Sequence, residues 1–549
     1  MHAPRPSGPS RRSVLAGAAA GTAATALGVW NPDAAQAAGH RTPSFATIQN
    51  DHFWLDTDGN PIYSQGGGVF KFGDTYYWYG VRYTGAEPYQ KNPTRLYDKE
   101  VVFLAITCYS SHDLVHWTFE NNIATTATAL DIPTSKDVSG DTLSRMRTLA
   151  DTSWLGRLGV VYNPNTRKYV LVTQMKSTFD ANPTGRALLF LQSDTPTGEF
   201  RYADIQTHVE NCVSQGTGDQ TVFTDDDGQS YLVFSNAGGR QYSYVSRIAA
   251  ADSLSIEPAK QVGYVAAGRE GNAMFKLDGH YYIGTSDLHG WNSSHTYLIR
   301  SRTDDILGEY SAESVLPGTE RDYSHVTQTG FFVTVKGRER DTVVFAGDRW
   351  ADFAWNGIGY NQWMPLSSGP DGLVFHSLSQ WRLDARSGRW EVGPGNNYLL
   401  NPEFAADRVP VTQPTGWVVT ADEDSASQTF VSNTSPGAGG SRFAITLGAA
   451  EAFSGSLSQT VDVPRGTYRF AATVRSTGGF TYARIRITSP GRRKPYIIDL
   501  NRTTDGWQDV ALDGLRLTSK EVTVSIEARG PGGTSALFVD SLSLVRERR

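Results

Sequence analysis

Glu270 stands between glycines in Gly268-Arg269-Glu270-Gly271, at the entry to an apolar run that turns through Asp278-Gly279 into Tyr281-Tyr282. A carboxylate so placed points into a shared space rather than packing as core. A carboxyl kept protonated by poor solvation and a neighbouring carboxylate can donate to a leaving oxygen. Acid-catalysed cleavage of a glycosidic bond needs one such donor, and a group on the opposite sugar face to place water or attack. Trp291, Trp350 and Trp363 supply flat faces on which a sugar can stack, although an indole is more often core. Arg349 can clamp hydroxyls or pair with Asp348. Asp225, Asp226 and Asp227 read as hairpin-turn residues. His289, His295 and His325 lie in separate loops without metal-ligand spacing, so no metal and no cofactor is expected.

These residues need elements to bring them together. Turn-plus-strand units recur at 71–79, 163–172, 225–234, 276–283 and 337–345, each with a Gly, Asp or Asn turn before an aromatic or β-branched strand. Their spacing of roughly 50 to 90 residues, with no long helical period between, predicts a radial array. The expected fold is all-β: a five-bladed β-propeller over 45–392, with strand-start residues converging on one axial pocket. The Thr/Ser-rich stretch from Ala124 to Asp151 reads as an inter-blade excursion near the binding face or as a surface insertion. Past Gly393-Pro394-Gly395, alternation such as Ala483-Arg484-Ile485-Arg486-Ile487 predicts an antiparallel β-sandwich over 397–549. Trp417 and Trp507 are candidate binding aromatics there, with core packing favoured.

Composition narrows the class. With 549 residues, 13 Trp, 25 Tyr, 24 Phe and 55 Gly, the chain is long enough for two or three domains rich in strands and tight turns. A net charge of -6 without Lys/Arg runs argues against nucleic-acid or anionic-membrane partners. Cys108 and Cys212, the only cysteines, pair in an oxidising compartment or remain two buried thiols. Residues 1–37 read as an export signal, with Ser10-Arg11-Arg12-Ser13-Val14-Leu15 as a twin-arginine pattern and Ala35-Gln36-Ala37 as the cleavage site. A secreted monomer acting on a saccharide is the expectation.

From 45 to 390 the chain resembles glycoside hydrolase family 43. Gly218 to Gly228 is similar to the segment carrying the acid that raises the donor's pKa, which implies that role for Asp219. Arg269-Glu270-Gly271 through Tyr282 is similar to the general-acid segment, implying that role for Glu270. Gly66-Gly67-Gly68-Val69, Cys108 to Trp117, Gly290-Trp291-Asn292, Gly347-Asp348-Arg349-Trp350 and Tyr360 to Leu366 resemble the exo-β-1,3-galactanase-like subgroup. The wider family's first-blade general base falls in Ser64-Gln65-Gly66-Gly67-Gly68, without a carboxylate, as in that subgroup. The resemblance implies that Gln328, in Thr327-Gln328-Thr329, positions the water, and that Gln65, Gly66, Trp291, Asn292, Arg349, Trp350 and Trp363 contact substrate. Subgroup members carry a Glu-Arg-Pro-Lys run where this chain has Gly156-Arg157-Leu158-Gly159; Asp151 or Glu100 are the candidates to replace that Glu. The sandwich resembles galactose-binding-like, jelly-roll carbohydrate-binding modules. The reading is an inverting exo-glycosidase on galactose-containing plant polysaccharide, the β-1,3-galactan of arabinogalactan. Its rivals are an arabinofuranosidase or galactofuranosidase on the same scaffold, and a non-catalytic glycan-binding propeller.

Overall fold

The computed structural model describes residues 44–91, 101–138, 142–180, 186–350, 359–369 and 372–547, apart from 408, 426 and 435. The twin-arginine segment and Glu100 lie outside these residues. From Ser44 onward the described residues form one compact unit.

Among the described residues, five four-stranded antiparallel sheets follow one another along the chain, each a meander in sequence order. Their first strands are Gln65–Phe72, Thr152–Asn163, Thr217–Thr224, Glu270–Leu277 and Gln328–Lys336. Each first strand packs on the next, and the fifth packs on the first, so the sheets close a ring around an axis. Local chemistry sets the hairpins. Phe72 pairs with Thr75 across Gly73-Asp74, and Leu277 with His280 across Asp278-Gly279. Asp278 and Gly279 both have positive φ, 50° and 76°, as a two-residue turn matched to strand twist requires.

Apolar faces of neighbouring sheets fill the wedges between them. Trp54, Trp78, Trp117, Trp363 and Trp381 share one wedge. The stretch from Ala124 to Asp151 contributes to another: Leu130, Ile132, Leu143, Met146 and Leu149 are buried with the cores of the first two sheets. Ala46–Gln49 pairs with Gln380–Asp384, which pairs with Arg389–Val392, tying the chain before the ring to the chain after it.

From Val418 to Arg546 two five-stranded antiparallel sheets, interleaved in sequence, enclose a separate core. Ala483, Ile485 and Ile487 face inward, while Arg484 faces outward and lies 2.7 Å from Glu527. Trp417 is buried against Phe404; Trp507 is half-buried beneath Arg475 and Phe538. Hydrogen bonds from Ser293 to the Ala406 carbonyl (2.7 Å) and from the Asn397 amide to Ser379 (2.7 Å) join sandwich and ring. Cys108 is a buried free thiol and Cys212 a partly buried one. Among the described residues no helix is long and apolar enough to cross a membrane.

Candidate active site

Every first strand is irregular near its start. The ladder slips between Gln65 and Gly68, Gly156 and Leu158, Thr217 and Gln220, Glu270 and Ala273, and Thr329 and Phe331. A β-bulge bends the strand and re-aims a side chain. Here the repeated bulge turns residues at the head of each strand toward the axis. Three of the bulges hold a left-handed residue: Gly66, Arg157 and Gly271, with φ of 58°, 48° and 67°. Glycine is needed after Glu270, because a Cβ on Gly271 would lie 2.5 Å from the Thr329 carbonyl oxygen. Arg157 departs from that pattern, at a backbone cost of about 1 kcal/mol. Its guanidinium is buried, 2.9 Å from Asp348 and 3.5 Å from Asp219, which offsets the strain.

The strand heads line a cavity of about 360 Å³ that holds Gln65, Gly66, Gly156, Arg157, Asp219, Glu270 and Gln328. Two carboxylates meet there on one guanidinium nitrogen: Arg240 Nη1 is 2.8 Å from Asp219 Oδ1 and 3.2 Å from Glu270 Oε2. The Gly271 amide donates to the other Asp219 oxygen (3.1 Å). Burial alone would raise the Asp219 pKa, but Arg240 and Arg157 outweigh it and hold this carboxyl well below the usual range. Glu270 receives less of that field. Burial, then the Asp219 charge, push it up to about 7 against the opposing pull of Arg240 and Arg157. The pair thus divides into one fixed anion and one acid that still carries its proton near neutrality.

Gln328 is held in one orientation. Its carbonyl oxygen accepts from the Trp350 indole N–H (3.0 Å), and its amide nitrogen donates to the Gly290 carbonyl (2.7 Å) and to Glu270 Oε1 (3.2 Å). One lone pair of the carbonyl oxygen is left by these bonds. The chain reaches Gln328 through a left-handed turn, Tyr323 to Val326, with φ between 52° and 59° at four non-glycine residues. Such a turn costs roughly 1–2 kcal/mol per residue. It is held by the His325 amide on Asp322 (2.9 Å), by Gln362 on the His325 carbonyl (3.1 Å) and by Ser324 on the Ser294 carbonyl (3.0 Å). Strain of this kind persists where the surroundings over-determine it, and here it sits next to the cavity.

The cavity therefore brings together Glu270, Asp219, Gln328, Gln65, Gly66, Trp291 and Trp350 from the sequence reading, and leaves out three others. Trp363 is fully buried in the tryptophan wedge. Asn292 is buried and donates to the His289 carbonyl (2.8 Å), bracing the loop that carries Trp291. Arg349 donates to the Val326 carbonyl (3.3 Å) at the left-handed turn. Asp151 caps a short turn by accepting from the Arg147 amide (2.8 Å), away from the cavity. A side chain at Gly156 would meet the Trp154 indole at 3.0 Å and the Tyr83 hydroxyl at 3.2 Å.

Five lining residues escaped the sequence reading: Tyr83, Trp154, Arg157, Arg186 and Arg240. Trp154 stacks on Tyr83 and continues through Trp291 to Trp350, with centroids 6.4, 6.3 and 4.9 Å apart. Among the described residues no group of His, Cys, Asp and Glu is placed to hold a metal ion. His325 lies against Asp51 and Asp322, and His295 against Tyr297 and Tyr323.

Residues 60–353 match the family described as glycosyl hydrolases family 43. Among solved structures, an exo-β-1,3-galactanase from Phanerochaete chrysosporium with galactose is similar at 19% identity, covering 90% of this chain and 100% of that one, with a TM-score of 0.51. An exo-β-1,3-galactanase from Clostridium thermocellum is similar at 20% identity, covering 91% and 100%, with a TM-score of 0.52. At these identities the likeness is one of fold. No curated protein sequence matches the chain.

Proposed function

The chain belongs to glycosyl hydrolases family 43 and is a glycosidase, and from that premise we propose that it removes terminal sugars from galactose-containing polysaccharide, β-1,3-galactan, with inversion. We read the ring as five blades, the sandwich as a glycan-binding module, and the protein as a monomer exported by the twin-arginine route. One observation carries the proposal: Glu270 and Asp219 share Arg240 inside one cavity, yet only Glu270 is held near neutrality in its protonated form.

Glu270 gives its proton to the glycosidic oxygen as the bond to the anomeric carbon breaks. Asp219 keeps that proton in place between turnovers. Gln328 offers its remaining carbonyl lone pair to the attacking water, and Trp291 and Trp350 offer apolar faces to the sugar. A cavity of about 360 Å³ is at the small end for ligand sites, which suits a chain end better than a threaded polymer.

A second reading has an observation behind it. Asp219 and Glu270 are the only carboxylates lining the cavity among the described residues, and Gly156 brings none, so a binding propeller without turnover is the alternative. Chromatography of products from a polysaccharide panel separates the readings. The wild type should release galactose from β-1,3-galactan, and Glu270→Gln should be slower by at least about a hundredfold. Arabinose without galactose would point to a furanosidase. Glycan retention with no product, or near-wild-type turnover by the variant, would overturn the proposal.

A further inference from the structure

Three guanidiniums, Arg157, Arg186 and Arg240, line a cavity in which Asp219 and Glu270 are the only lining acids among the described residues. Arg157 is matched by Asp348 below it, and Arg240 lies between Asp219 and Glu270. Arg186 has neither: the residue is partly exposed, among the described residues its side chain makes no ion pair, its guanidinium lies over the Trp154 ring at 5.8 Å, and its buried Nε has no acceptor in reach. The Trp154 Nε1, on the same wall, is a second buried donor with no acceptor. Buried charges and donors are normally paired, and each one left over costs free energy unless something supplies a partner. The general acid must also be uncharged at the start of a turnover, which leaves two anions, Asp219 and Asp348, against three cations. Both observations ask for a negatively charged group on the ligand.

Resting on the reading of this cavity as the cleavage site, we propose that it accepts a neutral galactose end but prefers a terminal sugar bearing an anionic substituent, a hexuronate carboxylate or a sulfate ester, with Arg186 as the specificity-determining residue. A planar guanidinium is suited to a carboxylate or sulfate and gains little from a neutral hydroxyl. The absence of an acid at Gly156 fits the same demand, because a carboxylate there would face the ligand's own charge.

Calorimetry tests this without requiring turnover, so its failure is separate from failure of the cleavage reading. Galacturonate, galactose 6-sulfate and galactose are titrated into the full-length wild type and into Arg186→Gln. One charged sugar should bind wild type about tenfold or more tighter than galactose, and whichever does so identifies the carboxylate or the sulfate as the group recognised. Raising the salt should shrink that preference, and Arg186→Gln should erase it. Galactose binding as tightly as both charged sugars, or a charged-sugar preference that survives in Arg186→Gln, would overturn the proposal.

Discussion

The axis of the ring opens at two ends, built from the same five strands. At the strand heads lies the cavity of about 360 Å³ with Asp219 and Glu270; at the strand tails lies a larger one, about 520 Å³, with Asp225, Asp226, Lys276 and Lys336. Both mouths hold acids and bases, but they are matched differently. Lys276 is 2.7 Å from Asp225 and 3.0 Å from Asp226, and Lys336 is 3.2 Å from Asp341. Burial would raise Asp225, yet its bonds to Lys276 and Tyr281 hold it low, so it is ionised and satisfied. At the heads two acids share one arginine, and a third arginine has no partner. Volume does not separate the two mouths; the mismatch of charge does.

Mutations at the two ends should therefore differ in kind. The largest effect expected is on turnover at the heads, where Glu270→Gln falls by at least about a hundredfold in kcat. The same change should stabilise. A carboxyl whose folded pKa is raised from 4.5 to about 7 keeps its full contribution below about pH 4.5, and loses it as pH rises through about 7. Glu270→Gln should accordingly unfold later than wild type at about pH 8, by on the order of 2 kcal/mol, with the gain gone at about pH 4. Denaturant melts at both pH values check this; an equal shift at both would contradict it. Trp350→Phe removes the N–H that fixes the Gln328 carbonyl, and kcat should drop by about tenfold with the fold intact. At the tails, Lys276→Met should leave kcat within about twofold while costing about 1 kcal/mol of stability. A large loss of turnover there would dissolve the contrast.

Much of this was legible in the sequence because local chemistry dictates it. Gly73-Asp74 and Asp278-Gly279 announce turns by residue type, and the inward alternation of Ala483, Ile485 and Ile487 announces a sandwich strand. Glu270 was legible from its glycines, which the structure explains through the bulge and the close approach of Thr329 to Gly271. The arginines were not. Arg157 occupies a left-handed bulge position that no residue preference marks, while Arg186 and Arg240 enter from segments whose proximity to Glu270 exists only after the ring closes. Trp350 and Trp363 look alike in sequence. One ends a strand at the cavity, while the other lies mid-strand in a wedge between sheets. Period and turn signals carry no information about that choice.

The central claim is that burial, reinforced by the Asp219 charge, keeps Glu270 protonated, and a pH profile of kcat/KM in wild type and Asp219→Asn reads the Asp219 share directly. Activity requires the protonated acid, so the wild type should lose it as pH rises through about 7. In Asp219→Asn the repelling anion is gone, and only burial is left to oppose Arg240 and Arg157 at Glu270. The alkaline limb should then move down by about one unit or more. A limb that stays where it was would contradict the account.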